Sequence, residues 1–151
     1  MKIISVRESA EYKEIATKYI YSKWGSKDNY QIYEDSICDC VNTKESTPHW
    51  YLLEDDNKIV GCAGLIDNDF ISRTDLSPWL CSLYIDSEYR GKDLGSILIA
   101  KVKEDAKKQY VKTVYLSTGL YGYYEEYGFD YFGEGFFDDG EPSKIYEADL
   151  A

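Results

Sequence analysis

The sequence predicts an α/β (α+β) fold, a central sheet with helices packed against it, from three observations. Residues 49–66 read as an antiparallel hairpin, in which the apolar runs His49–Leu53 and Lys58–Ile66 are separated by the turn formers Glu54, Asp55, Asp56 and Asn57. Residues 79–85 are apolar and rich in aromatic and β-branched side chains, and Leu94, Leu98, Val102 and Ala106 follow at helical spacing, so a strand, a tight turn and a helix are expected. Lys112–Ser117 then reads as the next strand, and a right-handed crossover makes it a parallel neighbour of 79–85.

The remaining elements follow in chain order. Ile3–Arg7 reads as a first strand. Tyr12, Ile15, Ala16, Tyr19 and Ile20 fall at i, i+3, i+4, i+7 and i+8, an amphipathic helix ended by Trp24-Gly25-Ser26. Ser26 or Asp28 is placed to cap a second helix, whose Tyr30, Tyr33, Ile37 and Val41 share a face. After the hairpin, Asp67–Pro78 is polar and reads as a surface loop entering the central strand. The helix from Leu94 ends near Tyr110, with Lys107 and Lys108 against the negative end of its dipole. Leu120–Tyr127 reads as a short helix stopped by Gly128, with Phe129 packing back onto its last turn. Phe129–Gly133 and Ser143–Ala148 are a final strand pair joined by an acidic loop.

Length and composition bound the function. The 151 residues are one domain's worth, residues 1–151, with enough chain for a single core. Hydrophobic residues at 44%, with 16% aromatics, exclude a disordered chain, and no apolar run approaches the roughly 20 residues of a membrane span. Met1–Arg7 lacks the apolar core and cleavage site of a secretory signal, so a cytoplasmic protein with no membrane partner is expected. The net charge of −11 argues against nucleic acid, which needs a basic surface. The same charge serves solubility, or attracts a cationic acceptor such as a polyamine, an aminoglycoside or a lysine side chain. Cys38, Cys40, Cys62 and Cys81 form no C-x-x-C pair and read as reduced, buried thiols. Cys38, Cys40 and His49 lack a fourth good ligand, so no metal centre is expected.

The chemistry concentrates between residues 83 and 96. A helix starting near Leu94 leaves backbone N–H groups unpaired at its positive end, where an anion is favoured. Gly91 and Gly95 let the backbone approach that anion, and Arg90 and Lys92 add positive charge in an acidic chain. This turn resembles the acyl-coenzyme A pyrophosphate loop of the GNAT superfamily of N-acetyltransferases, R/Q-x-x-G-x-G/A. Arg90 fills its first position and Gly95 its last, while Asp93 stands where the middle glycine is usual. A second segment, Leu120-Tyr121-Gly122-Tyr123-Tyr124-Glu125-Glu126-Tyr127-Gly128-Phe129, resembles the family's aromatic-Tyr-Glu-x-x-Gly-Phe stretch.

The resemblance implies a mixed, mostly antiparallel sheet of six to seven strands with about four flanking helices and a parallel pair that splays at the cofactor site. It implies acetyl-CoA as co-substrate, bound by Leu83, Tyr84 and Ile85 through the main chain and by the turn Arg90, Gly91, Lys92, Asp93, Leu94, Gly95 and Ser96. Tyr124 matches the family's tyrosine that protonates the departing thiolate; Tyr121, Tyr123 and Tyr127, at helical spacing, are expected to point elsewhere. Ser117 falls where many relatives carry a cofactor-contacting asparagine. Asp69, Asp75, Asp86 and Glu88 are all candidates for the general base. The implied partner is a small amine, with a homodimer also admitted; the alternative is a degenerate member that binds acyl-CoA or a protein partner without turnover.

Overall fold

The hairpin read from residues 49–66 lies inside a seven-stranded sheet in the computed structural model, which describes residues Met1–Ala151. Its strands are β1 (Lys2–Ser5), β2 (His49–Asp55), β3 (Lys58–Ile66), β4 (Trp79–Ile85), β5 (Thr113–Thr118), β6 (Asp130–Phe136) and β7 (Pro142–Asp149), in the order β1-β2-β3-β4-β5-β7-β6. Every pair is antiparallel except β4 and β5. Helices α1 (Lys13–Trp24) and α2 (Tyr30–Asn42) share one core with Trp50, Leu52, Cys62 and Cys81. Helix α3 (Leu94–Lys108) shares another with Tyr51, Leu53, Leu80 and Val114. Alternation along β2 sends consecutive residues to opposite faces, and the sheet is covered on both.

Four local features differ from the sequence expectation. The first strand stops at Ser5, because Arg7 turns away to donate hydrogen bonds to the carbonyls of Cys40 (2.9 Å) and Pro48 (2.7 Å). The turn before α2 is held by Asn29, whose Oδ1 accepts from the Ser26 N–H at 2.7 Å, and not by a Ser26 or Asp28 cap. The 67–78 loop is partly internal: Ile71 and Leu76 are buried with Trp79 and Ile145. Leu120–Tyr127 is not a helix throughout; only Tyr124–Tyr127 form a 3₁₀ turn, since Gly122 at φ +77° is left-handed and interrupts right-handed winding. Three helices of full length therefore flank the sheet. Gly128 ends that turn at φ +84°, and the Tyr124 and Phe129 rings meet edge-on at 6.0 Å, as the sequence predicts.

Candidate active site

The site is built where β4 and β5 part. The two strands pair only at Trp79 and Tyr115, beyond which they diverge. Asp86 N–H donates to the Val60 carbonyl at 2.8 Å, and Tyr84 lies opposite Cys62 in the same register. Because alternate residues of an antiparallel strand face the same neighbour, Tyr84 turns its main chain to β3, whereas Leu83 and Ile85 turn theirs to the open edge. Of the three residues expected to pair with a pantetheine arm through the main chain, Leu83 and Ile85 turn theirs to the open edge, where the Ile85 carbonyl is taken by Arg90; Tyr84 contributes its ring. A bulge precedes them: Gly64 pairs with Cys81 but Cys62 with Tyr84, and Ser82 takes up the extra residue at φ +54°.

A cleft of about 720 Å³ opens beside this edge, lined by Leu83, Tyr84 and Ile85, by the start of α3, and by the segment after β5. Gly91 has φ +80°, and Asp93 at φ 59°, ψ 31° holds the left-handed conformation for which glycine is usual. Arg90 folds back over β4: its Nε donates to the Ile85 carbonyl at 2.9 Å and its guanidinium lies 5.2 Å from the Tyr84 ring centre. Arg90, Gly91, Asp93, Leu94 and Gly95 line the cleft. Lys92 and Ser96 do not; Lys92 lies over the Tyr89 ring and Ser96 Oγ donates to the Asp93 carbonyl at 2.6 Å.

Tyr124 lines the cleft, half-buried against the α3 core, and loss of solvent raises its phenol to about 12. Tyr123 and Tyr127 line it as well, contrary to the helical spacing, because the chain there is an irregular loop and a single 3₁₀ turn. Tyr127 donates to Asp93 Oδ1 at 2.6 Å, and the Tyr123 hydroxyl stands 2.9 Å from the position a Cβ on Gly95 would take. Tyr121 alone is directed away, under the Lys144 ammonium and largely exposed. Trp24 and Tyr89 also line the cleft; Trp24 arrives from the distant end of α1, where no local spacing marks it, and Tyr89 stands beside Arg90.

A second cavity, of about 560 Å³, lies on the α2 side of the sheet and includes Ser82 of the bulge, the residue before Leu83 of the first cleft. Its walls are Tyr33, Trp50 and Phe70, with the carboxylates of Asp35, Asp39, Asp67 and Asp69, and no basic side chain lines it. Asp35 accepts from Gln31 at 2.8 Å, and Asp67 accepts from the Thr47 hydroxyl. Asp69 accepts no hydrogen bond and meets no cation, and burial pushes its carboxyl up to about 6. The other base candidates are engaged: Asp75 accepts from Nε and Nη2 of Arg73, Glu88 pairs with Lys58, and Asp86 takes the Tyr19 hydroxyl at 2.5 Å. Neither Asp75 nor the carboxylates of 136–141 line this cavity, and Ser117 lines neither one.

The family model for the acetyltransferase (GNAT) family matches residues 10–129. The chain belongs to that family. Acetyl-CoA is the family's co-substrate. The GNAT chain is similar in structure to an aminoglycoside 6'-acetyltransferase type Ii, with a TM-score of 0.73 at 19% identity, covering 100% of this chain and 98% of that one. An aminoglycoside 6'-N-acetyltransferase complexed with coenzyme A gives 0.72 at 16%, again over 100% and 98%. A GNAT family acetyltransferase from Elizabethkingia anophelis with acetyl-CoA bound gives 0.62 at 19%, over 86% and 87%. Among curated proteins, none matches the chain in sequence.

Proposed function

We propose that this GNAT protein transfers the acetyl group of acetyl-CoA to a primary amine of a small cationic acceptor, by direct attack in a ternary complex. The observation that carries the reading is the unpaired edge of β4, with an anion-ready helix N-terminus on one side and a carboxylate-lined cavity on the other, Ser82 of the second cavity being the chain neighbour of Leu83 in the first. The residues fit the co-substrate: Gly95 leaves no Cβ between the first turn of α3 and the cleft, and the main chain of Leu83 and the N–H of Ile85 are available for strand-like pairing. Arg90, Gly91, Lys92, Asp93, Leu94, Gly95 and Ser96 hold the pyrophosphate region, with Lys92 acting from outside the cleft by charge alone. An N–H of Leu83 or Ile85 stabilises the oxyanion, and Tyr124 gives its proton to the leaving thiolate. The acceptor occupies the second cavity, where carboxylates and aromatic faces both favour a cation.

Asp93 supports a second reading, a binder without turnover, since its carboxylate stands beside the place of the pyrophosphate. Calorimetric titration with acetyl-CoA, followed by an acetylation assay against polyamines, aminoglycosides and neutral amines, separates the two. Binding with turnover of cationic amines is expected. Binding without turnover would favour the second reading, no binding at millimolar ligand would remove the cofactor assignment, and faster turnover of neutral amines would overturn the acceptor class.

A further inference from the structure

The four carboxylates considered as bases in the sequence differ sharply in surroundings. Asp75 and Glu88 are exposed and paired with Arg73 and Lys58, and Asp86 is held by Tyr19 and Lys23. Asp69 is half-buried, free of donors, and on the wall of the cavity that reaches Ser82 of β4. Its position is fixed from both sides. Asn68 clamps the turn by accepting from Ile71 N–H at 3.2 Å and donating to the Ile71 carbonyl at 3.0 Å, and Ile71 is anchored in the core with Trp79 and bridged to Phe137.

We infer that Asp69 is the base that takes a proton from the acceptor's ammonium group, an assignment that rests on the acetyl-transfer reading above. The ammonium gives one proton to the Asp69 carboxylate, directly or through one water. The freed amine then forms the N–C bond to the thioester carbonyl, and the C–S bond breaks. The thiolate takes the Tyr124 proton, and the new amide nitrogen returns its surplus proton to the Tyr124 phenolate, so one proton in all leaves by way of Asp69. The groups that face Asp69 are Tyr33, Asp35 and Asp39 from α2, Cys81 from β4 and Asp67 from its own loop. None of them is a cation, so nothing in the protein neutralises the carboxylate before an acceptor does, and a bound ammonium is the opposite charge it lacks.

The test compares wild type with Asp69→Asn and Asp69→Glu, using acetyl-CoA and spermidine, whose amines stay protonated across the acid range. Wild-type kcat/KM should fall below about pH 6 as Asp69 is protonated. Asp69→Asn should lose about 10² to 10⁴-fold in kcat together with that limb, and Asp69→Glu should restore part of both. Acetyl-CoA affinity and thermal midpoint should be unchanged in both variants. Independently of turnover, the Asp69 carboxyl followed by NMR should titrate near 6 and shift downward when spermidine is added. Retention of rate and limb by Asp69→Asn, an effect confined to KM, or a midpoint indifferent to spermidine would overturn the assignment while leaving acetyl transfer standing. Absence of wild-type turnover with every amine would overturn both.

Discussion

Tyr127 donates a hydrogen bond of 2.6 Å to the side chain of Asp93, joining the 3₁₀ turn after β5 to the residue that precedes α3. The contact sets the charge of the proposed pyrophosphate site. Asp93 supplies the left-handed backbone that the turn requires, and the phenol draws its carboxylate toward the 124–127 turn. The bond also raises the Tyr127 phenol above its ordinary range, since ionisation would set two anions against each other.

Asp93→Gly keeps the left-handed angle and removes the charge, so acetyl-CoA should bind about three- to tenfold tighter, the scale of one exposed like-charge contact. Tyr127→Phe should act in the opposite direction by freeing the carboxylate. Calorimetry on the two variants and their combination checks both, and the effect of Tyr127→Phe should vanish in the Asp93→Gly background.

Gly95→Ala places a methyl 2.9 Å from the Tyr123 hydroxyl, at the mouth of the proposed pyrophosphate site. Acetyl-CoA affinity should drop about tenfold, or about 1.4 kcal/mol. Stability should not fall with it, because the ring can swing aside and alanine favours a helix over glycine by about 1 kcal/mol. A parallel loss of affinity and thermal midpoint would show that the residue matters for packing alone.

Tyr124→Phe keeps the ring against Phe129 and the α3 core while deleting the proton donor. Turnover should fall by about 10² to 10⁴-fold with acetyl-CoA affinity little changed. Only Tyr121→Phe is a neutral control, since Tyr123 and Tyr127 share the cleft. Full activity in Tyr124→Phe would mean that the thiolate takes its proton from water.

His49 is buried, bonded to Ser5 Oγ at 2.8 Å and stacked on Tyr51. Burial first, then the Arg7 charge, lowers its imidazole to about 4. The unfolded chain, with an ordinary value near 6.5, takes up the proton first. The stability tied to the neutral ring is thus full above about pH 6.5 and lost as pH falls toward 4, by about 3 kcal/mol. Urea denaturation at pH 7 and pH 4 should show a smaller acid loss in His49→Gln by roughly that amount; equal losses would place the acid sensitivity elsewhere.

Much of the fold was legible because its signals are local. Apolar alternation and helical spacing depend on residues a few positions apart, so the hairpin, the central strand and α3 could be read from the chain directly. The loop from Arg90 to Ser96 was legible for the same reason: glycines, charge and a helix start lie in one short stretch. Sequence alone also carried the resemblance to the family, through two motifs in the right order.

Tertiary structure decided what no spacing encodes. Whether Leu83, Tyr84 or Ile85 faces the open edge follows from register against β3, and Gly122 turns a helical pattern into a loop that brings Tyr123, Tyr124 and Tyr127 to one cleft. Four carboxylates looked equivalent as bases because charge type is written in the sequence and solvation is not. Partners thirty or more positions away hold Glu88 and Asp86, a neighbour two residues off holds Asp75, and burial leaves Asp69 without any. Desolvation is a property of packed surroundings, and packing is set by contacts between segments that the chain order keeps apart.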